Sequence, residues 1–121
     1  MKEKSNIQIA LVHAGPSVLV VDDERDFVDT LVKRLERRGF NVTGVGGGKE
    51  ALALLGQKTF DVVILDVMMP GMDGIETLRA LREADLAARI LILTVSDAAD
   101  DLVAAIRAGA DGYLLKDMEP E

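Results

Sequence analysis

The 121-residue sequence predicts a doubly wound α/β domain built on a parallel sheet. Short continuous runs of apolar residues occur at Val18–Val21, Val62–Leu65, Ile90–Leu93 and Tyr113–Leu115. None alternates with polar residues, the pattern expected of strands covered on both faces. Segments with helical periodicity fill the intervals, and such alternation of strand and helix implies parallel strands joined by crossover helices.

Taken in chain order, the first strand, Val18–Val21, runs into Asp22-Asp23-Glu24. Phe27, Leu31 and Leu35 then recur every fourth residue with Val28 and Val32 beside them, which predicts an amphipathic helix over about Glu24–Arg38 closed by Gly39. A weaker strand follows at Asn41–Val45, and the glycines at 44 and 46–48 read as a turn before a short helix over about Lys49–Leu55. The Walker phosphate-loop pattern fails there twice, since position 43 is Thr and position 50 is Glu. After Val62–Leu65, the stretch Asp73-Gly74-Ile75-Glu76 has capping-box spacing and opens a helix to about Glu83. After Ile90–Leu93, a helix from about Asp97 to Ala108 places Leu102, Val103 and Ile106 on one side and stops at Gly109. The last strand is Tyr113–Leu115.

Composition narrows the function classes. A chain of this length, 49% hydrophobic, is enough for one domain with one core. It has no Cys, so no disulfide framework exists and a reducing, cytoplasmic setting is the expectation. No apolar run is long enough to span a membrane, and the N-terminal residues make a poor signal peptide. The net charge of −7 leaves no basic footprint for nucleic acid. The sole His, His13, makes a poor metal site by itself.

Chemistry gathers after the strands. Asp22 and Asp23 follow the first run, Asp66 the third strand, Thr94 the fourth and Lys116 the fifth. Parallel strands bring all their C-termini to one edge, where ligands bind such sheets. Three carboxylates, a hydroxyl and an ammonium are therefore expected to meet. Several carboxylates with room for water suit Mg²⁺. A carboxylate in such a site can attack phosphorus to form an aspartyl phosphate. The metal and Lys116 would offset charge on the transferring oxygens, and Thr94 would hydrogen-bond the product. Each residue taken singly also has a plainer structural reading: Asp22 or Asp23 as a helix cap, Thr94 as a strand residue, Tyr113 as core, Lys116 as a surface charge.

Over about Pro16–Asp117 the sequence resembles the CheY-like receiver domains of bacterial two-component response regulators. The motifs that carry the resemblance are VLVVDDE, DVVILDVMMPGMDG, ILILTVSD and GADGYLLKD, in that order. The YLLKD segment is similar to the subfamily with a helix-turn-helix DNA-binding domain. The resemblance implies a flavodoxin-like five-stranded parallel sheet, order 2-1-3-4-5. It implies that Asp66 accepts a phosphoryl group from a sensor histidine kinase. It also implies that Asp23, Asp66 and the backbone carbonyl of Met68 ligate Mg²⁺, with Asp22 acting through water. Lys116 pairs with the acids and then the phosphate, Thr94 is the switch hydroxyl, and Tyr113 turns inward as Thr94 moves. Pro70 and Gly71 shape the loop after Asp66. The helix 4/strand 5 surface then changes toward an output domain or other downstream protein, with no nucleic acid or membrane contact by this domain.

Departures from the family pattern are Val95 after Thr94, where a smaller residue is usual, and Asp117 after Lys116, where Pro is usual. The chain is expected to comprise an N-terminal extension, residues 1–15, and a receiver domain, residues 16–121, truncated before a fifth helix. Either Ile7–Val12 covers the face that helix would occupy, or two chains pair or swap elements there. Two other functions compete. One is an Mg²⁺-dependent phosphatase with an aspartyl nucleophile, although the acid/base Asp usual two residues after that nucleophile is here Met68. The other is an interaction module that is never phosphorylated. The expectation is a phosphoacceptor that assists its own phosphorylation and dephosphorylation, not a turnover enzyme.

Overall fold

In the computed structural model, residues 15–66, 74–84, 87–94 and 99–116 are described. Strands β1 (Ser17–Val21), β2 (Asn41–Val45), β3 (Val62–Asp66), β4 (Arg89–Thr94) and β5 (Gly112–Leu115) form a sheet of order β2-β1-β3-β4-β5. Every pairing is parallel. Helices α1 (Arg25–Arg37), α2 (Gly48–Leu55), α3 (Gly74–Glu83) and α4 (Ala99–Arg107) make the crossovers.

The uninterrupted apolar runs have a direct physical cause. Successive residues of β1 face opposite sides of the sheet, and both sides are covered. Leu19 and Val21 pack with Val63, Leu65, Ile90 and Ile92 against Ala51 of α2, Leu78 and Leu81 of α3 and Ala105 of α4. Val18 and Val20 pack with Ile64 and Leu93 against Val28 of α1, whose Phe27, Leu31, Val32 and Leu35 extend the stripe. A polar residue on either side would lose water without gaining a partner. The glycines expected to stop α1 and α4 do so: Gly39 and Gly109 have φ of 95° and 113°, the left-handed region that closes helices.

The structure corrects four details. Asp66 and Thr94 are the last residues of their strands, not the first after them, so their backbones are held by ladder hydrogen bonds. Gly44 lies inside β2, and Gly48 begins α2 with Gly47 as its N-cap. A Cβ at Gly44 would collide with Val28, so this glycine lets α1 lie close over the sheet. On α4, among the described side chains, Ala105 is buried while Val103 and Ile106 are exposed. Finally, β5 is not covered on both faces. It is an edge strand paired with β4, and Tyr113, Leu114 and Leu115 are all exposed. The residues expected to precede β1, the loop over Met68–Asp73, Val95 and the end beyond Lys116 lie outside the described residues.

At the sheet edge away from the acids, Arg82 at the end of α3 fastens three segments. It donates to the carbonyls of Gly109 at 2.8 Å and Ala88 at 3.2 Å, and to the Asp111 carboxylate at 2.6 Å. Asp111 also accepts the Ile90 backbone N–H at 2.8 Å. That hydrogen bond is the largest influence on the Asp111 pKa. Partial burial pushes it up, but the bond from Ile90 together with Arg82 and Arg89 holds it below the ordinary carboxylate value. Replacing Asp111 by Ala strands the Ile90 donor and should lower stability by about 1–3 kcal/mol at neutral pH. A carboxylate with a depressed pKa stabilises above its unfolded value of about 3.9 and ceases to do so as pH falls through its folded value. Urea titrations should therefore show the wild-type advantage over Asp111→Ala shrinking below pH ~4.

Candidate functional site

Parallel pairing does the assembly. Val21 is in register with Leu65, so Asp22 follows β1 level with Asp66 at the end of β3. Asp66 pairs with Leu93 and Thr94 with Leu115, which places Thr94 and Lys116 at the same edge. The Lys116 N–H donates to the Thr94 carbonyl at 2.6 Å, locking the end of β5 to the end of β4.

Carboxylate oxygens of Asp22, Asp23 and Asp66 lie within 4.8 Å of one another. Asp22 and Asp66 are buried, whereas Asp23 is exposed. Opposite oxygens around an octahedral Mg²⁺ lie about 4.2 Å apart, twice its ~2.1 Å bond length. The carboxylates thus need only small adjustments to grip such an ion, and their hard oxygen donors are the right chemistry for it. A cleft of 260 Å³ bounded by Asp22, Asp23, Asp29 and Gly46 opens beside them, which leaves room for coordinated water.

Lys116 is the counter-charge. Its ammonium, with a side chain only 1% exposed, donates to Asp22 Oδ2 at 2.7 Å and lies 3.7 Å from Asp66 Oδ2. The second distance is an ion pair but too long for a hydrogen bond. The ammonium also sits 4.5 Å from the centre of the Phe27 ring, within cation–π range. Burial alone would push the Lys116 pKa down. The hydrogen bonds to Asp22 and Glu24 and the nearby Asp66 outweigh burial and raise the pKa above the ordinary value. The lysine therefore stays cationic while buried.

The sequence-predicted residues Asp22, Asp23, Asp66, Thr94 and Lys116 are thus brought to one edge. Thr94 is buried there. Tyr113 lies in register with Ile92, two strand residues before Thr94, and is 46% exposed. Met68 lies outside the described residues. Two residues were missed. Glu24 forms an ion pair with Lys116 across 92 positions of chain, and Phe27 provides the ring beneath the same ammonium. The third acid of VLVVDDE was the visible trace of the first. Phe27 had no trace, because its helical spacing already explained it as packing.

Residues 18–121 match the response regulator receiver domain family. The chain is 42% identical over 109 residues to the nitrate/nitrite response regulator protein NarL of Escherichia coli K12, covering 88% of this chain and 50% of NarL. It therefore spans about half the length of that curated relative. Among solved structures it is similar to the chemotaxis protein CheY4 of Vibrio cholerae, with TM-score 0.83 and 34% identity over 88% of this chain and 91% of CheY4. It is also similar to the response regulator TrrA of Thermotoga maritima in complex with Mg²⁺-BeF, with TM-score 0.77 and 32% identity over 86% and 89% of the two chains. No helix among the described residues is long and apolar enough to cross a membrane. With sheet order, acid cluster and buried lysine already in place, these matches close the question of family: the chain belongs to the response regulator receiver domains of two-component systems.

Proposed function

We propose that this domain is a phosphoryl-accepting switch with Asp66 as the acceptor and a sensor histidine kinase as the donor. The observation that carries this reading is a carboxylate at the end of the central strand β3, clustered with those of Asp22 and Asp23 and with the Lys116 ammonium 3.7 Å away. A carboxylate oxygen of Asp66 attacks the phosphorus of a phosphohistidine. The new P–O bond forms as the P–N bond breaks, and the imidazole nitrogen leaves with the electron pair. Lys116 stabilises charge on the transferring oxygens, and burial beside it excludes bulk water.

Asp23 and Asp66 would hold Mg²⁺ directly, joined by the Met68 carbonyl. Asp22 would act through a coordinated water, a role supported by its oxygens: Oδ2 accepts Lys116 and Oδ1 accepts the Glu24 N–H at 2.9 Å. The ion, when bound, would neutralise charge on the phosphoryl group and its acceptor. Thr94 would then engage the phosphate and Tyr113 would turn inward. The surface that responds is α4 with β5, where Val103, Ile106, Tyr113 and Leu115 are exposed. A downstream partner or output domain would read that surface.

Incubation with acetyl phosphate and Mg²⁺, followed by intact-mass measurement, should show gain of one phosphoryl group and none in Asp66→Asn. No gain by folded wild-type protein would reject the reading. Sustained phosphate release from small phosphomonoesters would favour a phosphatase instead.

A further inference from the structure

We infer that Glu24 is a positioning residue, a tether that holds the Lys116 ammonium back from Asp66 until a phosphoryl group arrives. The inference rests on the proposed phosphoryl-acceptor role of Asp66 and concerns how this chain regulates it.

Glu24 is the N-cap of α1, yet its side chain makes no capping hydrogen bond. Its carboxylate reaches Lys116 instead. The local backbone directs it there: Asp22 Oδ1 accepts the Glu24 N–H, folding the chain back after β1. Lysine has three donors. One goes to Asp22 at 2.7 Å and another to Glu24, while Asp66 stays at 3.7 Å. The Phe27 ring takes up another side of the ammonium. Glu24 and Asp66 therefore compete for the same cation.

The two acids that bond Lys116 differ in what they can give up. Asp22 has a side chain fully buried, whereas that of Glu24 is 53% exposed. If Lys116 moves toward Asp66, Glu24 can return to water at little loss, but Asp22 cannot. Glu24 is thus the releasable partner. Phosphorylation adds charge at Asp66 and draws the ammonium across, and the tether sets how much of that attraction is spent in freeing it.

The test compares wild type, Glu24→Gln and Asp26→Asn at saturating Mg²⁺. Asp26 is an exposed acid in the first turn of α1, outside the cleft lining, and controls for the loss of any nearby negative charge. Beryllofluoride affinity is read by calorimetry, and the phosphorylation rate is read across acetyl phosphate concentrations. Glu24→Gln should bind beryllofluoride roughly fivefold more tightly and raise the saturating phosphorylation rate by a similar factor, the scale of one partly exposed ion pair. Its melting temperature should be nearly unchanged, and Asp26→Asn should stay near wild type in affinity and rate. Glu24→Asp, shorter but equally charged, should fall between wild type and Glu24→Gln. Equal gains in Asp26→Asn and Glu24→Gln, or no gain or a loss in Glu24→Gln while wild type is phosphorylated, would overturn the tether alone. A wild type that takes no phosphoryl group would bring down the proposed function and the tether with it.

Discussion

Replacing Lys116 by Ala is expected to destabilise the domain by about 3–5 kcal/mol, the range for removing one partner of a buried ion pair. Lys116 is the ammonium shared by Asp22, Glu24 and Asp66. Without it Asp22, whose side chain is fully buried, loses its cationic partner. A domain with only about 5–15 kcal/mol of total stability would feel this strongly. Mg²⁺ should recover part of the loss by supplying positive charge to the same carboxylates. The pH dependence has a definite sign. The Lys116 pKa is raised on folding, so its contribution is present in full below the unfolded value of about 10.4 and fades as pH rises through the folded value. Chemical denaturation should therefore show a constant gap between wild type and Lys116→Ala across neutral pH, closing only in strong alkali. A gap below about 1 kcal/mol at neutral pH would show that the lysine is solvated like a surface residue.

Replacing Asp66 by Asn should work in the opposite direction. In the absence of metal the variant is expected to be more stable than wild type by about 1–2 kcal/mol. Asp66 shares its corner with Asp22 and Asp23, with oxygens within 4.8 Å, and has Lys116 at 3.7 Å. Among the described charges, two neighbouring carboxylates oppose the attraction of Lys116, so a neutral amide is expected to relieve more than it forfeits. Exposure of Asp23 keeps the figure small, since water screens that repulsion. Mg²⁺ should invert the order. An ion at a hundred times its dissociation constant stabilises by about 2.7 kcal/mol, and a variant lacking one donor should capture much less. Melting curves with and without Mg²⁺ should therefore cross in rank. If Asp66→Asn is less stable than wild type in chelator, the acids are not in mutual repulsion and the proposed ion site is wrong.

Some of this site was legible before any coordinates. Asp22, Asp23, Asp66, Thr94 and Lys116 each end or follow a strand, and a parallel sheet sends strand ends to one edge. Chain order and apolar runs were sufficient for that, because strand direction is a topological property. Which side of α4 meets the core was not legible from its apolar residues, because hydropathy alone does not show whether a partner surface exists. Among its described side chains the small Ala105 packs in the core, while Val103 and Ile106 are exposed. The same ambiguity hid β5, whose apolar residues read as covered although Tyr113, Leu114 and Leu115 are exposed.

By itself the sequence determined the alternation of strands and helices, the parallel direction of the sheet and which side chains stand at its functional edge. These follow from periodicity and chain order, which are local or topological. Only the tertiary structure decided how one buried ammonium is divided among Asp22, Glu24 and Asp66 and that Phe27 lies beneath it. Such a division depends on distances of a few ångströms between groups 50 to 94 positions apart in the chain. Electrostatic energy varies steeply over that range, and no pattern of letters carries it.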